Sequence, residues 1–129
     1  MTNIVLASNN KKKIAELQTL LAKVSEGLVN VQSLRDIGFT VDIVEDGTTF
    51  EENSLIKAGT PAKLGHIGIA DDSGLAVDYL NGAPGIYSAR FSGEGATDET
   101  NRAKLLKELD GVPAEARTAH FVCTAALVL

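Results

Sequence analysis

Two adjacent carboxylates, Asp71 and Asp72, stand in "IADDSGL" directly after "HIGIA", an apolar lead of the kind that forms a buried strand. Like charges placed side by side repel, and loss of water raises the cost unless a cation or a shared proton compensates. The pair therefore points to a metal ion or to acid–base chemistry. The plain structural alternative is a turn, with Asp71 capping the strand and Asp72 opening an Asx turn with Ser73 and Gly74. Successive strand residues face opposite ways, so the two carboxylates need not share a role: one could ligate a metal and orient water while the other fixes the turn.

A second chemical feature lies near the start. Ser8-Asn9-Asn10 ends the apolar "NIVLA" and precedes Lys11-Lys12-Lys13. Ser and Asn favour turns and helix N-caps, and the helix behind them would offer backbone N–H groups and the positive end of its dipole to an anion. Three lysines there oppose the dipole unless an anion binds. Lys13, in the first turn, is the one expected to reach it, whereas Lys11 and Lys12 read more readily as a solvated basic turn. A cationic helix start and a carboxylate cluster together describe a nucleotide phosphate with Mg2+, since a hard divalent cation takes one or two carboxylates plus substrate phosphates. The carboxylate candidates are Asp71, Asp72 and Glu45.

The elements that must position these groups follow from pattern. "NIVLAS" is a short strand and "KKKIAELQTLLAKV" a helix with Ile14, Leu17, Leu21 and Val24 on one face. "LVNVQSL" and "FTVDIV" read as strands. Thr49 and Glu52 match a capping box that starts a helix at Phe50, and Gly59-Thr60-Pro61 is expected to bend or break it. After "IADDSGLAV" and the glycine-rich "NGAPGIYSARFSGEGAT" loop, a helix from Asp98 to Leu109 closes at Gly111 and Pro113. "TAHFVCTAALVL" reads as a strand of central type. Strands alternating with helices predict an α/β domain with ligands at strand ends.

Composition bounds the function classes. The 129 residues, 44% hydrophobic and 22% charged, suit one soluble globular domain, residues 1–129. A net charge of -5 argues against nucleic-acid backbone binding as the main task. The single cysteine, Cys123, excludes a disulfide framework and reads as a small buried hydrophobe, and His66 and His120 lack partners at ligand spacing. With no signal pattern and no apolar run near ~20 residues, the expectation is a cytoplasmic protein with no membrane partner. Tyr87 and Arg90 could line a substrate cleft or a dimer contact.

"LASNNKKKIAELQ" resembles the Ser/Thr-x-Asn-x-x-Lys-x-x-Glu signature of the inosine triphosphate pyrophosphatase family, the Ham1 or RdgB type, at Ser8, Asn10, Lys13 and Glu16. The resemblance continues through "TTFEENSLIKA", "IADDSGLAVDYLNGAPGIYSARFSG" and "ATDETN", in the family's order. It implies a mixed β-sheet flanked by helices in a Ham1/Maf-like fold. It also implies a homodimer, and Mg2+-dependent hydrolysis of inosine, deoxyinosine and xanthosine triphosphates to the monophosphate and pyrophosphate.

Position by position, Ser8, Asn9, Asn10, Lys11, Lys12 and Lys13 resemble the triphosphate cradle and Ser73 a substrate contact. Asp72 resembles the general base and a metal ligand, Glu45 looks like a second metal ligand, and Asp71 belongs to the same acidic pair. Glu16 and Asn53 look like supports. The resemblance departs at the Gly59-Thr60-Pro61 interruption and at the end, where the family's Phe-Gly-Tyr-Asp and Ser-His-Arg segments, similar to a purine clamp, have no counterpart. The chain thus reads as an incomplete domain whose C-terminal part is missing. Two alternatives accompany this reading: a non-catalytic or weakly binding nucleotide fragment, and a Maf-type pyrophosphatase, against which Asn10 and Lys13 speak.

Overall fold

A computed structural model describes residues 1–129. Four strands, β1 (Thr2–Leu6), β2 (Val29–Ser33), β3 (Ile67–Val77) and β4 (Ala119–Val128), form one sheet in the order β2-β1-β3-β4. Three helices accompany them: α1 (Lys11–Val24), α2 (Phe50–Lys63) and α3 (Asp98–Glu108). This is the α/β class expected. Residue contacts divide the chain into two compact units, Met1–Asp71 with Ala125–Leu129, and Asp72–Thr124.

In the first unit β1 is central and pairs in parallel on both sides, Thr2 to Leu6 with Val29 to Ser33 and Ile4 to Leu6 with Ile67 to Ile69. Both faces of β1 must therefore be covered, which its apolar run "IVL" permits. Val5 is fully buried in a core with Ala7, Leu34, Ala58 and Ala70. Helix α1 leaves the sheet at the predicted point and presents Ile14, Leu17 and Leu21 half-buried, although Val24 is exposed.

Two expectations fail here for physical reasons. "FTVDIV" forms no strand. Phe39 and Ile43 pack against the core while Val41, which a strand would turn to the same side as both, stays exposed with Val44, so the segment buries two side chains without a ladder. Helix α2 does not break at Gly59-Thr60-Pro61 but runs to Lys63. Pro61 is buried, and Gly68 passes so close to α2 that a Cβ there would collide with the Ala58 carbonyl oxygen and come within 2.9 Å of the Pro61 ring. Tertiary packing at the last turn thus outweighs the lost amide.

The second unit is built on Val77, Leu109 and Val112, with Leu75, Leu80, Leu105 and Ala116 packed against them. Thr97 and Thr100 cap α3 reciprocally. The Arg117 guanidinium closes the segment after α3 by donating to the carbonyls of Val112 (2.8 Å) and Leu109 (2.9 Å). The turn that was the structural alternative at Asp72-Ser73-Gly74 is absent, because β3 runs unbroken through it. Gly74 serves close approach instead: a Cβ there would strike the Gly85 carbonyl oxygen and lie 2.8 Å from the Ser88 hydroxyl.

Strand β4, expected to be central, is last in the sheet order, with Phe121 86% exposed. Cys123, expected to be buried, is exposed as well. Apolar composition gave β4 and Cys123 a burial signal that the sheet position does not meet.

Candidate functional site

The turn before α1 is organised by its own side chains. The Ser8 hydroxyl accepts from the Asn10 amide (3.1 Å), and Asn10 Oδ1 accepts from the amides of Lys12 (3.0 Å) and Lys13 (3.3 Å). Asn10 is thus the N-cap that starts the helix at Lys11. Two of the amides expected to face an anion are already engaged by the cap. The part of Lys13 that reaches away from the helix is its side chain.

That side chain ends on Asp71, with Nζ 3.0 Å from Oδ2. Lys13, Glu16 and Asp71 form the polar lining of a recess of about 330 Å³ whose remaining walls include Leu6, Leu17, Leu20 and Ile69. Ser8 and Asn9 line a different recess, about 250 Å³, with Asp42, Glu45 and Lys57. The residues expected to cradle a triphosphate are therefore shared between two recesses of the first unit.

Lys57 joins the two sets, donating to the Asp71 backbone carbonyl (2.6 Å) and lying 3.2 Å from Glu45 Oε1. Sequence reasoning missed it. The available signal was its place four residues after Asn53, which puts both on one face of α2. Both are sequestered there: Asn53 is 1% exposed, and the Lys57 side chain retains 15%.

The loop carrying Glu45 is fastened to the start of α2. Asn53 Oδ1 accepts from the Gly47 amide (2.9 Å), and Glu52 accepts from the Thr48 amide (2.6 Å) and hydroxyl (3.1 Å). The Thr48 amide first, then its hydroxyl, holds the Glu52 carboxyl below its ordinary value of 4.5. Asn53 therefore has a visible supporting contact, made to the loop two residues beyond Glu45.

Along β3 burial alternates, so Asp71 is part-exposed, Asp72 is buried at 7% exposure and Ser73 is exposed. The adjacent carboxylates stand in different surroundings, as strand geometry requires. A carboxylate buried to that degree needs compensating partners.

The residues can be tested against Mg2+. No group of three or more His, Cys, Asp or Glu is gathered to hold a metal. A hard ion that arrives with phosphates needs only one or two carboxylate oxygens. Glu45 and Asp71 supply these, each now facing a lysine that a phosphate could take over, so the donor chemistry fits. No helix is long and apolar enough to cross a membrane.

Known proteins resemble this chain along nearly all of its length. The model of the Ham1 family matches residues 4–129. The chain is 49% identical over 130 residues to a dITP/XTP pyrophosphatase of Bacillus licheniformis, covering 100% of this chain and 65% of the relative. It is 52% identical over 129 residues to a dITP/XTP pyrophosphatase of Geobacter sulfurreducens, covering 98% of this chain and 63% of the relative. Among solved structures, a HAM1 protein from Coxiella burnetii superposes with a TM-score of 0.87 at 41% identity, covering 98% of this chain and 63% of that one. The chain thus spans a little under two thirds of the length of the relatives it matches, and across that span it belongs to the Ham1 family.

Proposed function

We propose that residues 1–129 form a single, incomplete nucleoside triphosphate pyrophosphatase domain. It hydrolyses non-standard purine nucleotides, the inosine, deoxyinosine and xanthosine triphosphates, to the monophosphate and pyrophosphate with Mg2+ as cofactor. The observation that carries this reading is the pair of lysine–carboxylate contacts, Lys13–Asp71 and Lys57–Glu45, within a chain of this family. Each is a cation held ready beside an oxygen ligand. A triphosphate offers the lysines a better anion than a single carboxylate, because charge-assisted contacts to several phosphate oxygens exceed one such pair.

In this proposal the ammonium groups of Lys13 and Lys57 bind phosphate oxygens, assisted by the Ser8-Asn9-Asn10 turn. Lys11 and Lys12, both exposed, add a diffuse positive field. Ser73 touches the substrate. Asp72 is the general base: its carboxylate takes a proton from the attacking water as the bond between the α- and β-phosphates breaks. Burial of Asp72 supports that role, since its carboxylate is shielded from bulk water and can be kept for the one water that attacks. Magnesium, when bound through Glu45, Asp71 or Asp72, supplies neutralisation of phosphate charge. Glu16 and Asn53 are supports, and two copies of the family-length protein pair as a homodimer.

The test is pyrophosphate release when inosine triphosphate and Mg2+ are added to the chain extended to family length, with adenosine triphosphate alongside. Release that depends on Mg2+ and prefers inosine supports the reading. Calorimetric binding without release would make the chain a non-catalytic nucleotide binder.

A further inference from the structure

Asn81 is the one asparagine in this chain that glycine follows. That order has a chemical meaning. The backbone nitrogen after an asparagine can attack the side-chain amide carbon, and a following glycine leaves the approach free of any Cβ. Asn81 is exposed and stands in the left-handed region, φ 55° and ψ 38°, in the loop that follows β3. Asparagine tolerates this conformation better than most residues. The loop is closed by backbone bonds: the Asn81 amide donates to the Asp78 carbonyl (3.0 Å), Gly82 to Val77 (3.0 Å) and Ala83 to Leu80 (3.1 Å), while Val77 donates back to Ala83 (3.0 Å). An antiparallel bridge joins Ala76 to Pro84 at its base. None of these bonds uses the Asn81 side chain.

While the loop is closed, the attack is blocked twice. At ψ 38° the Gly82 nitrogen lies anti to the Asn81 Cβ, turned away from the side-chain carbon it would have to reach. Its proton is also held by the Val77 carbonyl, and a bonded N–H is harder to deprotonate. Opening of the loop removes both barriers at once. Exposed loops open locally at a lower cost than the unfolding of the whole chain.

We propose that Asn81–Gly82 is a self-modifying site whose pace is set by the opening of this loop. The reaction consumes water and nothing else. After opening, the Gly82 nitrogen bonds to Asn81 Cγ, the Cγ–Nδ2 bond breaks, and the amide leaves as ammonia together with the proton that Gly82 loses. Water then adds to one of the two carbonyl carbons of the cyclic imide. Addition at one carbon restores an ordinary backbone with aspartate at position 81. Addition at the other gives isoaspartate, in which the main chain runs through the former side chain and is one carbon longer. The aspartate product can reclose the loop. The isoaspartate product cannot keep both the Gly82–Val77 and the Val77–Ala83 bonds in register, and Val77, the last residue of β3, belongs to the core of the second unit. A transient opening is thereby made permanent.

The test is peptide mapping by mass spectrometry on the 129-residue chain, incubated at mildly alkaline pH with and without urea, which reads the replacement of –NH2 by –OH at each asparagine. In urea Asn81 should react at least ten-fold faster than any other asparagine, and Gly82→Ser should slow it several-fold. Without urea the rate should fall to the urea rate multiplied by the fraction of time the Gly82 amide is open, as read from its hydrogen exchange. The isoaspartate product, separated chromatographically, should exchange the Val77 and Gly82 amides at least ten-fold faster than the parent. Asn81→Asp, with the same charge and an ordinary backbone, should stay within about two-fold.

Another asparagine reacting first in urea overturns the site. A native rate equal to the urea rate overturns the gating, and so does one that departs at least ten-fold from the rate set by Gly82 exchange. An isoaspartate form that protects Val77 and Gly82 as well as the parent does overturns the structural consequence.

Discussion

In the Met1–Asp71 unit the polar groups beside the two recesses are held by charge, Lys13 by Asp71 and Lys57 by Glu45. In the Asp72–Thr124 unit the corresponding work is done by neutral donors and acceptors, with Asn101 on α3 and Ser88 on the loop before it. The difference teaches which contacts can be exchanged. An ion pair whose partners keep 43% and 25% side-chain exposure is worth little by itself and is open to a competing anion. A part-buried network of neutral groups offers no charge to a competing anion and is little affected by salt. The first unit is therefore suited to give up its internal partners to a ligand, and the second to stay as it is.

Replacing Asp72 with Asn should have the largest effect of any single change. It removes the base and should lower pyrophosphate release by about 10²–10⁴-fold. Thermal melting on the same sample should show stability held or raised, because one charge of an adjacent acidic pair is gone. Activity within a few-fold of the parent would take Asp72 out of the catalytic role.

Gly68→Ala should cost about 3 kcal/mol in urea unfolding, since a methyl group cannot share space with the Ala58 carbonyl and the strand must move off α2. A cost under about 0.5 kcal/mol would mean that the packing of β3 on α2 is looser than the structure shows.

Lys13→Ala should raise the half-saturating concentration of Mg2+–triphosphate roughly ten- to a hundred-fold, the worth of one charge-assisted contact. Lys11→Ala should do far less. Equal losses in titration calorimetry would turn the exchangeable ion pair into a diffuse basic patch and erase the contrast between the units.

The smallest effect concerns Glu52, whose carboxyl is held below 4.5 by the Thr48 amide and hydroxyl. A lowered folded value means the contribution is present above pH 4.5 and lost as pH falls through the folded value. Glu52→Gln should flatten that part of the melting-temperature profile on the acid side and leave neutral pH nearly unchanged. A steeper acid loss in the variant would contradict the sign.

How much was readable in the sequence differed with the range of the interaction. Helix α1 could be bounded at Lys11 and Val24 because Asn10 acts locally, on amides two and three residues away. Thr49 and Glu52 bounded α2 for the same reason. Lys57 escaped notice because its partners, Glu45 and Asp71, are 12 and 14 residues away, and no local pattern names them. Pro61 and the Ser73-Gly74 pair misled in one way: each carries a strong local signal for interruption, and each is overruled by an element packed against it, Gly68 in one case and Ser88 in the other. "FTVDIV" misled because an apolar, β-branched composition does not say whether the backbone pairs: Phe39 and Ile43 reach the core, while Val41 between them is exposed.

The alternation along β3 also makes its chemistry a matter of parity. Deleting or inserting one residue between Ile67 and Ala70 would exchange the surroundings of Asp71 and Asp72, turning the part-exposed carboxylate inward and the buried one outward with no change in composition. Changing the length by two residues would restore the facing. A lineage can therefore substitute residues in this stretch one at a time, but it can alter the spacing only in even steps, and length variants with odd steps should be missing from any functional library built on this strand.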